Sequence, residues 1–281
     1  MSEITISTED FLKFREYFYR KTGIMFDESK RYFVDKRLIE RIEATGHNSF
    51  KNYFMSLRFE ASQAELQKLI NLMTINETYF FREDYHFSCM INFMLPEICE
   101  CKRNNKLIRI WSIPSSSGEE PYSIAIYLLE YWKGIQDWDV EIISSDIDTS
   151  ILEAAKKGVF SQRSIQRIPS HILNKYFTVT KNDEYQICDD IRSAVEFTRV
   201  NLINSFDTKP FRNFDIIFCR NLLIYFDDVS RKIAAETFYD ALNDGGFICL
   251  GHSESMSRIT SIFKVRKFPD AIVYQKPKEN L

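Results

Sequence analysis

The chain has 281 residues and a formal net charge of −3, with 44% hydrophobic and 27% charged residues, which allows one large domain or two modest ones. This composition excludes long disordered segments, and the slight acidic excess argues against a protein that binds nucleic acid across its whole surface. The six cysteines include no C-x-x-C pair, so we predict reduced thiols, no disulfide framework and no metal site.

No membrane-spanning segment or targeting signal is predicted. The sequence lacks a run of 18 apolar residues, and its first residues, MSEITISTEDF, do not show the basic-then-apolar pattern of a signal peptide. We therefore expect a cytoplasmic protein without direct membrane insertion.

Residues 1–72 are predicted to form a bundle of helices. Four polar, cap-like residues precede amphipathic stretches in this part of the chain: Ser7, Asp27, Ser49 and Ser62. At 100° per residue, Lys30, Arg37 and Arg41 of the second helix fall within about 40° of one another. This basic stripe is most typical of a solvated face, and it also fits the docking of an acidic helical partner.

Residues 74–84, TINETYFFRED, join the bundle to the rest of the chain. Adjacent aromatic residues, Phe80 and Phe81, stand among Asn76, Thr78 and Arg82, whereas a plain linker would be rich in Gly, Ser and Pro. We expect this joining segment to lie against a ligand or a domain interface. A helix over roughly 84–102 follows it.

Residues 108–123, IRIWSIPSSSGEEPYS, predict a buried strand, a loop of small residues and a helix. Such a unit places free backbone N–H groups and a helix dipole at the carboxyl edge of a sheet, where nucleotide-like ligands bind. Glu119 and Glu120 would repel a polyphosphate, so a Walker loop is excluded and a ligand with an amino or sulfonium cation is favoured. The two acids also fit a purely structural role at the helix N-terminus.

A second strand, Asp139 to Ile147, ends with Asp146 and then Asp148. An acid at this point of a doubly wound fold binds ribose hydroxyls, and an acid here also caps a following helix. Asp146 fits the ribose role better, and Asp148 fits capping of a helix over residues 149–157 better. Residues from about 158 to 195 then break the α/β rhythm, with a predicted antiparallel hairpin at 176–188.

The remaining segments return to the main sheet. Their predicted order is a strand ending in Asn201-Leu202, a buried strand ending in Arg220-Asn221, a helix at 227–242, a strand from Gly245, and a closing hairpin at 263–275. The predicted fold is α/β, a doubly wound sheet with an antiparallel edge hairpin and a small antiparallel β-subdomain inserted at about 158–195. The predicted domains are 1–72 and 73–281.

Four motifs in this order resemble the CheR family of chemotaxis receptor methyltransferases: NETYFFRE at 76–83, SGEEPYS at 117–123, FCRNLLIYF at 218–226 and GGFICLGHSES at 245–255. KRYFVDKRLIERI in the helical part is a weaker fifth match. The resemblance implies a class I, Rossmann-like methyltransferase that transfers a methyl group from S-adenosylmethionine to glutamate side chains of chemoreceptors, with S-adenosylhomocysteine as product.

Individual residue roles also follow from the resemblance. It implies a cofactor pocket lined by Asn76, Thr78, Arg82, Glu119, Asp146, Asn201, Leu202, Arg220 and Asn221. Asp146 would hold the ribose, and Asn201 and Leu202 would flank the adenine. Tyr225 would face the transferred methyl group, and Arg82 would orient the substrate carboxylate. Because a glutamate side chain is ionised near neutral pH, no catalytic base is required.

The chain departs from the family pattern at two places. Ile113-Pro114 stands where small residues usually follow Trp-Ser, which predicts a narrower approach to the methionyl part of the cofactor. The hairpin insert lacks a Gly-rich turn, which implies the group that does not tether to a C-terminal receptor pentapeptide. Docking of the cytoplasmic helical domain of the receptor is then expected on Lys30, Arg37 and Arg41.

Other classes of protein fit the sequence less well. A methyltransferase acting on DNA or RNA amino groups would carry an Asn/Asp-Pro-Pro-aromatic motif, and a dinucleotide oxidoreductase would carry G-x-G-x-x-G; neither motif is present. We expect no nucleic-acid partner and a monomeric protein. The alternative hypothesis is a non-catalytic signalling module or scaffold that binds S-adenosylmethionine.

Overall fold

The computed structural model describes residues 4–102 and 105–278. The first three residues of the predicted helical domain and the last three of the predicted methyltransferase domain lie outside the described residues. Within the described ranges, no helix combines the length and the apolar character needed to cross a bilayer.

The N-terminal helices are α1 (Thr8–Thr22), α2 (Arg31–Ala44), α3 (Phe50–Phe59) and α4 (Ala64–Met73). Ser7 caps α1 with a reciprocal capping box to Asp10, and Ser49 caps α3, as their sequence positions predict. The predicted start of the second helix differs, because residues 28–30 form a single 3₁₀ turn before α2 begins. Lys30 therefore lies at the N-cap of α2, outside the regular helix that carries Arg37 and Arg41.

Seven of the strands in the described residues form one sheet with the order β6-β2-β1-β7-β8-β10-β9. The strands are β1 (Leu107–Ser112), β2 (Asp139–Asp146), β3 (Val159–Phe160), β4 (Phe177–Val179), β5 (Tyr185–Ile187), β6 (Val195–Arg199), β7 (Phe214–Cys219), β8 (Leu242–Leu250), β9 (Lys264–Lys267) and β10 (Ile272–Gln275). Strands β6, β2, β1, β7 and β8 are parallel, and β10 and β9 add the antiparallel edge. The predicted doubly wound fold is confirmed.

Helices cover both faces of this sheet. The α-helices that follow α4 in the described residues are α5 (Tyr85–Cys89), α6 (Leu95–Cys101), α7 (Glu119–Tyr131), α8 (Thr149–Lys157), α9 (Gln162–Ile165), α10 (Ser170–Tyr176), α11 (Asp189–Ser193), α12 (Ser205–Thr208) and α13 (Asp228–Ala241). A π-helical turn, Met90–Met94, separates α5 from α6 where one continuous helix was predicted. One apolar core contains Tyr122, Phe218 and Phe247, and a second, on the other face, contains Trp111 and Phe238.

The insert between α8 and β6 is a small antiparallel sheet with the order β3-β5-β4. The hairpin of β4 and β5 lies where the sequence predicts it. Strand β3 was not predicted, because a two-residue strand is too short to show an alternating pattern.

The helical part lies over the carboxyl edge of the main sheet. Met25 donates its backbone N–H to the carbonyl of Tyr225 at 3.2 Å, and the Gln67 amide donates to the carbonyl of Ile147 at 2.8 Å. The Tyr19 hydroxyl donates to Asp227 at 2.9 Å. These contacts link α1, the loop after it and α4 to the segments that follow β2 and β7, so the helical part covers the carboxyl edge of the sheet.

Candidate active site

A cavity of about 230 Å³ lies under the joining segment, where β1 is flanked by β2 on one side and β7 on the other. The connections from β1 and β7 run to opposite sides at this point, and such a switch point opens a crevice in a doubly wound sheet. Seven residues predicted for the site line this cavity: Asn76, Thr78, Arg82, Asp146, Arg220, Asn221 and Tyr225. They come from three separate segments of the chain.

The loop after β1 turns tightly against the end of β2. Ser115 donates its backbone N–H to the carbonyl of Ser145 at 2.7 Å, and Ser116 donates to the carboxylate of Asp146 at 2.8 Å. Gly118 has φ +97°, and a Cβ at this position would stand 2.9 Å from the Tyr122 ring. Glycine at position 118 of this loop is therefore required by both the backbone conformation and the packing.

Asp146 is a buried acid that faces the cavity, with 4% of its surface exposed. Its second carboxylate oxygen accepts from the backbone N–H of Asp148 at 3.0 Å. Burial raises the pKa of Asp146 to about 6, although these two backbone donors oppose the shift. Asp146 is thus a rigid hydrogen-bond acceptor at the cavity wall.

Asp148 has the structural role that its sequence position favours. Its carboxylate caps α8 by accepting from the N–H groups of Ser150 and Ile151. The other oxygen accepts from the Thr74 hydroxyl at 2.6 Å and from the Asn76 amide at 3.0 Å. Asp148 therefore ties the start of the joining segment to the end of β2.

Arg220 is the centre of a buried ionic network, with 2% of its side chain exposed. Its guanidinium lies 3.0 Å from Glu120 and 3.3 Å from Glu83, and it donates to the backbone carbonyl of Arg82. Burial raises the pKa of Glu120 despite the arginine. Burial acts in the same direction on Glu83, but Arg220 and a hydrogen bond from His252 outweigh it, and the pKa of Glu83 is lowered.

Glu120 and Glu83 belong to this ionic network, and neither was predicted as a site residue from the sequence. The cavity is lined by Glu120, whereas Glu119, which the resemblance implied, is buried beside it and accepts from the Ser117 hydroxyl at 2.6 Å. Adjacent helical residues point about 100° apart. The pair of acids in the sequence therefore indicated a site but not which of the two acids faces it. The cofactor contact of Glu119 stays a prediction.

The aromatic pair of the joining segment is an anchor. Phe80 is fully buried against Phe160 and Phe177 of the insert, and its N–H donates to the carbonyl of Ser164 at 2.9 Å. The N–H of Phe81 donates to the Ser123 hydroxyl at 3.0 Å. These contacts hold the segment between the insert and α7, with its polar side chains over the cavity.

Asn201 and Leu202 line a smaller recess of about 30 Å³ that also borders Asp146. The Asn201 amide donates to the carbonyl of Lys21 at 2.6 Å, and Leu202 is 4% exposed. The recess and the main cavity share Asp146, so both residues lie beside the ribose position implied by the resemblance. Their contact with the adenine stays a prediction.

The two residues that depart from the family pattern, Ile113 and Pro114, have different surroundings. Ile113 is 2% exposed and packs in the apolar core of Trp111, whereas Pro114 lines the cavity. Pro114 is therefore the residue of this pair that borders the main cavity, while Ile113 and Pro114 both line the smaller recess beside Asn201 and Leu202.

Unpartnered polar atoms show that the cavity suits a polar ligand. The Ser116 hydroxyl and the Nε of Arg220 are buried without a hydrogen-bond partner, and both residues line the cavity. Buried polar groups of this kind are normally satisfied by a ligand or water. Asp146 supplies an acceptor for hydroxyl groups, and Met73, Ile147 and Leu222 supply apolar surface. This donor and acceptor set fits S-adenosylmethionine.

The switch-point cavity and the carboxylate at the end of β2 define a doubly wound α/β protein that binds a nucleotide-like ligand such as S-adenosylmethionine. Residues 9–74 match the family domain described as "CheR methyltransferase, all-alpha domain", and residues 76–272 match "CheR methyltransferase, SAM binding domain". The chain belongs to the CheR methyltransferase family. The predicted family, enzyme class and cofactor are confirmed.

Relatives match nearly the whole chain. It is 55% identical over 277 residues to chemotaxis protein methyltransferase 2 of Vibrio cholerae, covering 99% of this chain and 96% of the relative. It is 36% identical to chemotaxis protein methyltransferase 2 of Pseudomonas aeruginosa, covering 90% and 89%. It is 31% identical to the chemotaxis protein methyltransferase of Escherichia coli, covering 94% and 90%.

The basic stripe of the helical part is only partly exposed. Arg41 forms a two-pronged ion pair with Glu65, at 2.8 and 2.7 Å. Arg37 donates to the carbonyl of Leu72, and its guanidinium lies 3.4 Å from the centre of the Phe33 ring. Lys30 is exposed. Arg37 and Arg41 thus both have partners within the helical part.

Proposed function

We propose that this protein, as a cytoplasmic monomer, transfers the methyl group of S-adenosylmethionine to glutamate carboxylates of chemoreceptors, giving methyl esters. The observation that carries the proposal is one cavity lined jointly by Asp146 from β2, Arg82 from the joining segment and Tyr225 from the loop after β7. The names of the relatives, which match nearly the whole chain, support a chemotaxis substrate.

The proposed reaction requires few catalytic side chains. When bound, S-adenosylmethionine supplies an electrophilic methyl group, and S-adenosylhomocysteine is the product. The attacking glutamate oxygen is already ionised near neutral pH, so the protein has to align it and exclude water. Arg82 attracts and orients the carboxylate. Burial raises the pKa of Tyr225, so its hydroxyl stays protonated and donates a hydrogen bond beside the reacting atoms.

The primary test is calorimetry with S-adenosylmethionine and S-adenosylhomocysteine, followed by transfer of labelled methyl to cytoplasmic receptor fragments. We expect binding, and label that alkali releases as methanol, since an ester is hydrolysed whereas an N-methyl group is not. Binding without transfer to any receptor fragment would support the alternative of a non-catalytic signalling module. Absence of binding would contradict both hypotheses.

Arg82→Ala is expected to lower kcat/KM for the receptor fragment by roughly 10- to 100-fold, because a hydrogen bond to a charged group contributes about 1.5–3 kcal/mol. Tyr225→Phe removes only a neutral donor, and we expect a loss of up to about 10-fold. Steady-state methylation assays measure both effects.

The matched controls for these variants are Arg163→Ala, at an exposed arginine, and Tyr131→Phe, at a half-exposed tyrosine of α7. Both controls should keep wild-type kinetics. If Arg82→Ala and Tyr225→Phe kept wild-type turnover and cofactor affinity as well, their proposed roles would be abandoned.

We further propose that the receptor helices dock on the surface that carries Lys30, Arg37 and Arg41, without a pentapeptide tether. The exposed Lys30 and the short β4–β5 connection support this arrangement. Lys30→Glu should raise KM for the receptor fragment roughly three- to tenfold, most strongly at low salt, and leave cofactor affinity unchanged.

Lys133→Glu makes the same charge change at an exposed lysine after α7 and serves as the control. Deletion of the last five receptor residues should leave KM unchanged if no tether is used. Equal effects of Lys30→Glu and Lys133→Glu would place docking elsewhere.

A further inference from the structure

The segment after β8, Gly251 to Ser255, belongs to a sequence motif that neither the cofactor cavity nor the proposed chemistry explains. Glu254 of this segment is mostly buried, and no part of it lines the cavity. One oxygen of its carboxylate accepts from the backbone N–H of Asn221 at 2.8 Å and from that of Gly251 at 2.9 Å. The glutamate therefore joins the loop after β8 to the loop after β7.

The second loop is held in an unusual conformation at this point. Asn221 has φ +60°, which is uncommon for a residue with a side chain and needs a supporting contact. Backbone N–H groups of Leu223 and Ile224 also favour the ionised form of Glu254, although burial is the larger influence and raises the pKa of this group. Within the described residues, the hydrogen bonds to this carboxylate come from the backbone N–H groups of Asn221 and Gly251 and reach one oxygen, and the other oxygen is buried without a partner.

Gly251 permits the close approach of the two loops. A Cβ at this position would stand 3.0 Å from the backbone nitrogen of Asn221 and 3.0 Å from the carboxylate of Glu254. Contacts of this length to backbone atoms require a shift of one of the loops. The loops therefore meet at a junction formed by Gly251, Glu254 and Asn221.

The turn held by Glu254 carries three groups of the active site. Arg220 immediately precedes Asn221, and Tyr225 closes the turn. All three line the cavity, and their placement depends on the backbone between residues 220 and 225. Helix α1 and the loop after it support the far end of this turn through the contact of Met25 with Tyr225, and Glu254 supports the near end.

We infer that Glu254 is a positioning residue, which fixes the 220–225 turn so that Arg220, Asn221 and Tyr225 bind the cofactor and align the methyl acceptor. The catalytic part of this inference rests on the proposed function, whereas the cofactor-binding part does not. Removal of the carboxylate should therefore weaken cofactor binding and slow turnover together, without altering the docking of the receptor.

The test compares Glu254→Ala, Glu254→Gln and Gly251→Ala with the exposed control Ser253→Ala. We expect S-adenosylhomocysteine to bind at least 10-fold more weakly to Glu254→Ala. Glu254→Gln keeps one acceptor oxygen but loses the charge, so an intermediate loss of about fivefold is expected. Gly251→Ala should shift in the same direction, and Ser253→Ala should match the wild type.

Kinetic constants separate positioning from a general loss of folded protein. A smaller folded fraction lowers kcat and leaves both KM values unchanged, whereas the inference requires a higher KM for S-adenosylmethionine and an unchanged KM for the receptor fragment. Wild-type affinity in Glu254→Gln, or equal behaviour of Glu254→Ala and Ser253→Ala, would overturn it. If wild-type protein binds S-adenosylhomocysteine but methylates no receptor, the proposed function fails while the affinity series still tests Glu254.

Discussion

Replacement of Asp146 by alanine is expected to weaken S-adenosylhomocysteine binding at least 100-fold in calorimetry. Its carboxylate is the buried acceptor at the end of β2, and hydrogen bonds to a charged group contribute about 1.5–3 kcal/mol each. The change also leaves the N–H groups of Ser116 and Asp148 without their partner, so the loop after β1 loses its support. The control is Glu153→Gln, on the exposed face of α8, which should bind like the wild type.

The same residue predicts a pH dependence of binding. Burial raises the pKa of Asp146 from 3.8 to about 6 in the ligand-free protein, and ribose hydroxyls are accepted most strongly by the ionised form. Affinity should therefore fall as the pH decreases through 6, by about fourfold between pH 7.5 and 5.5. The stability of the ligand-free protein depends on pH in the opposite direction. Because the pKa of Asp146 in the folded protein is raised above 3.8, Asp146 contributes to the free energy of unfolding below pH 3.8, and this contribution is lost as the pH rises to about 6.

Asp146→Asn separates this titration from those of neighbouring acids. The amide keeps the shape of the side chain and has no charge to lose, so its residual affinity should not follow the profile of the wild type. A wild-type affinity that stays constant down to pH 5.5, or an Asp146→Ala variant that binds normally, would remove Asp146 from the cofactor site.

Arg220→Met is expected to lower the free energy of unfolding by about 3–5 kcal/mol, because it leaves the buried carboxylates of Glu83 and Glu120 without their counter-charge. Methionine retains most of the apolar volume, so the effect reports charge rather than an empty cavity. Urea denaturation measures the change, and cofactor binding should be lost with it because Arg220 lines the cavity.

Arg163→Met is the matched control for this prediction. Arg163 pairs with Glu77 at the surface, where the two side chains are 79% and 70% exposed, and such pairs contribute about 0–1 kcal/mol. The double variant Arg220→Met/Glu120→Gln should regain part of the lost stability, since one of the buried charges is removed. Equal destabilisation by Arg220→Met and Arg163→Met would show that the buried network does not stabilise the fold.

The sequence by itself determined those features that depend on short-range chemistry. Alternating or continuous apolar residues identified the strands of the main sheet, and Ser7, Ser49 and Asp148 identified helix starts, because capping involves residues only two or three positions apart. Asp146 was predicted at the edge of the sheet for the same reason, since a strand end and the next helix start are adjacent in the chain.

Tertiary structure alone decided features that depend on helix phase or on partners distant in sequence. Nothing near Glu119 and Glu120 in the sequence indicates that the second one meets Arg220, which lies a hundred positions away. The engagement of Arg41 by Glu65, and the junction of Glu254 with Asn221, likewise require elements that only folding brings together. Local pattern sets the conformation of each segment, whereas the contacts that satisfy buried charges and strained turns exist only once distant segments are packed.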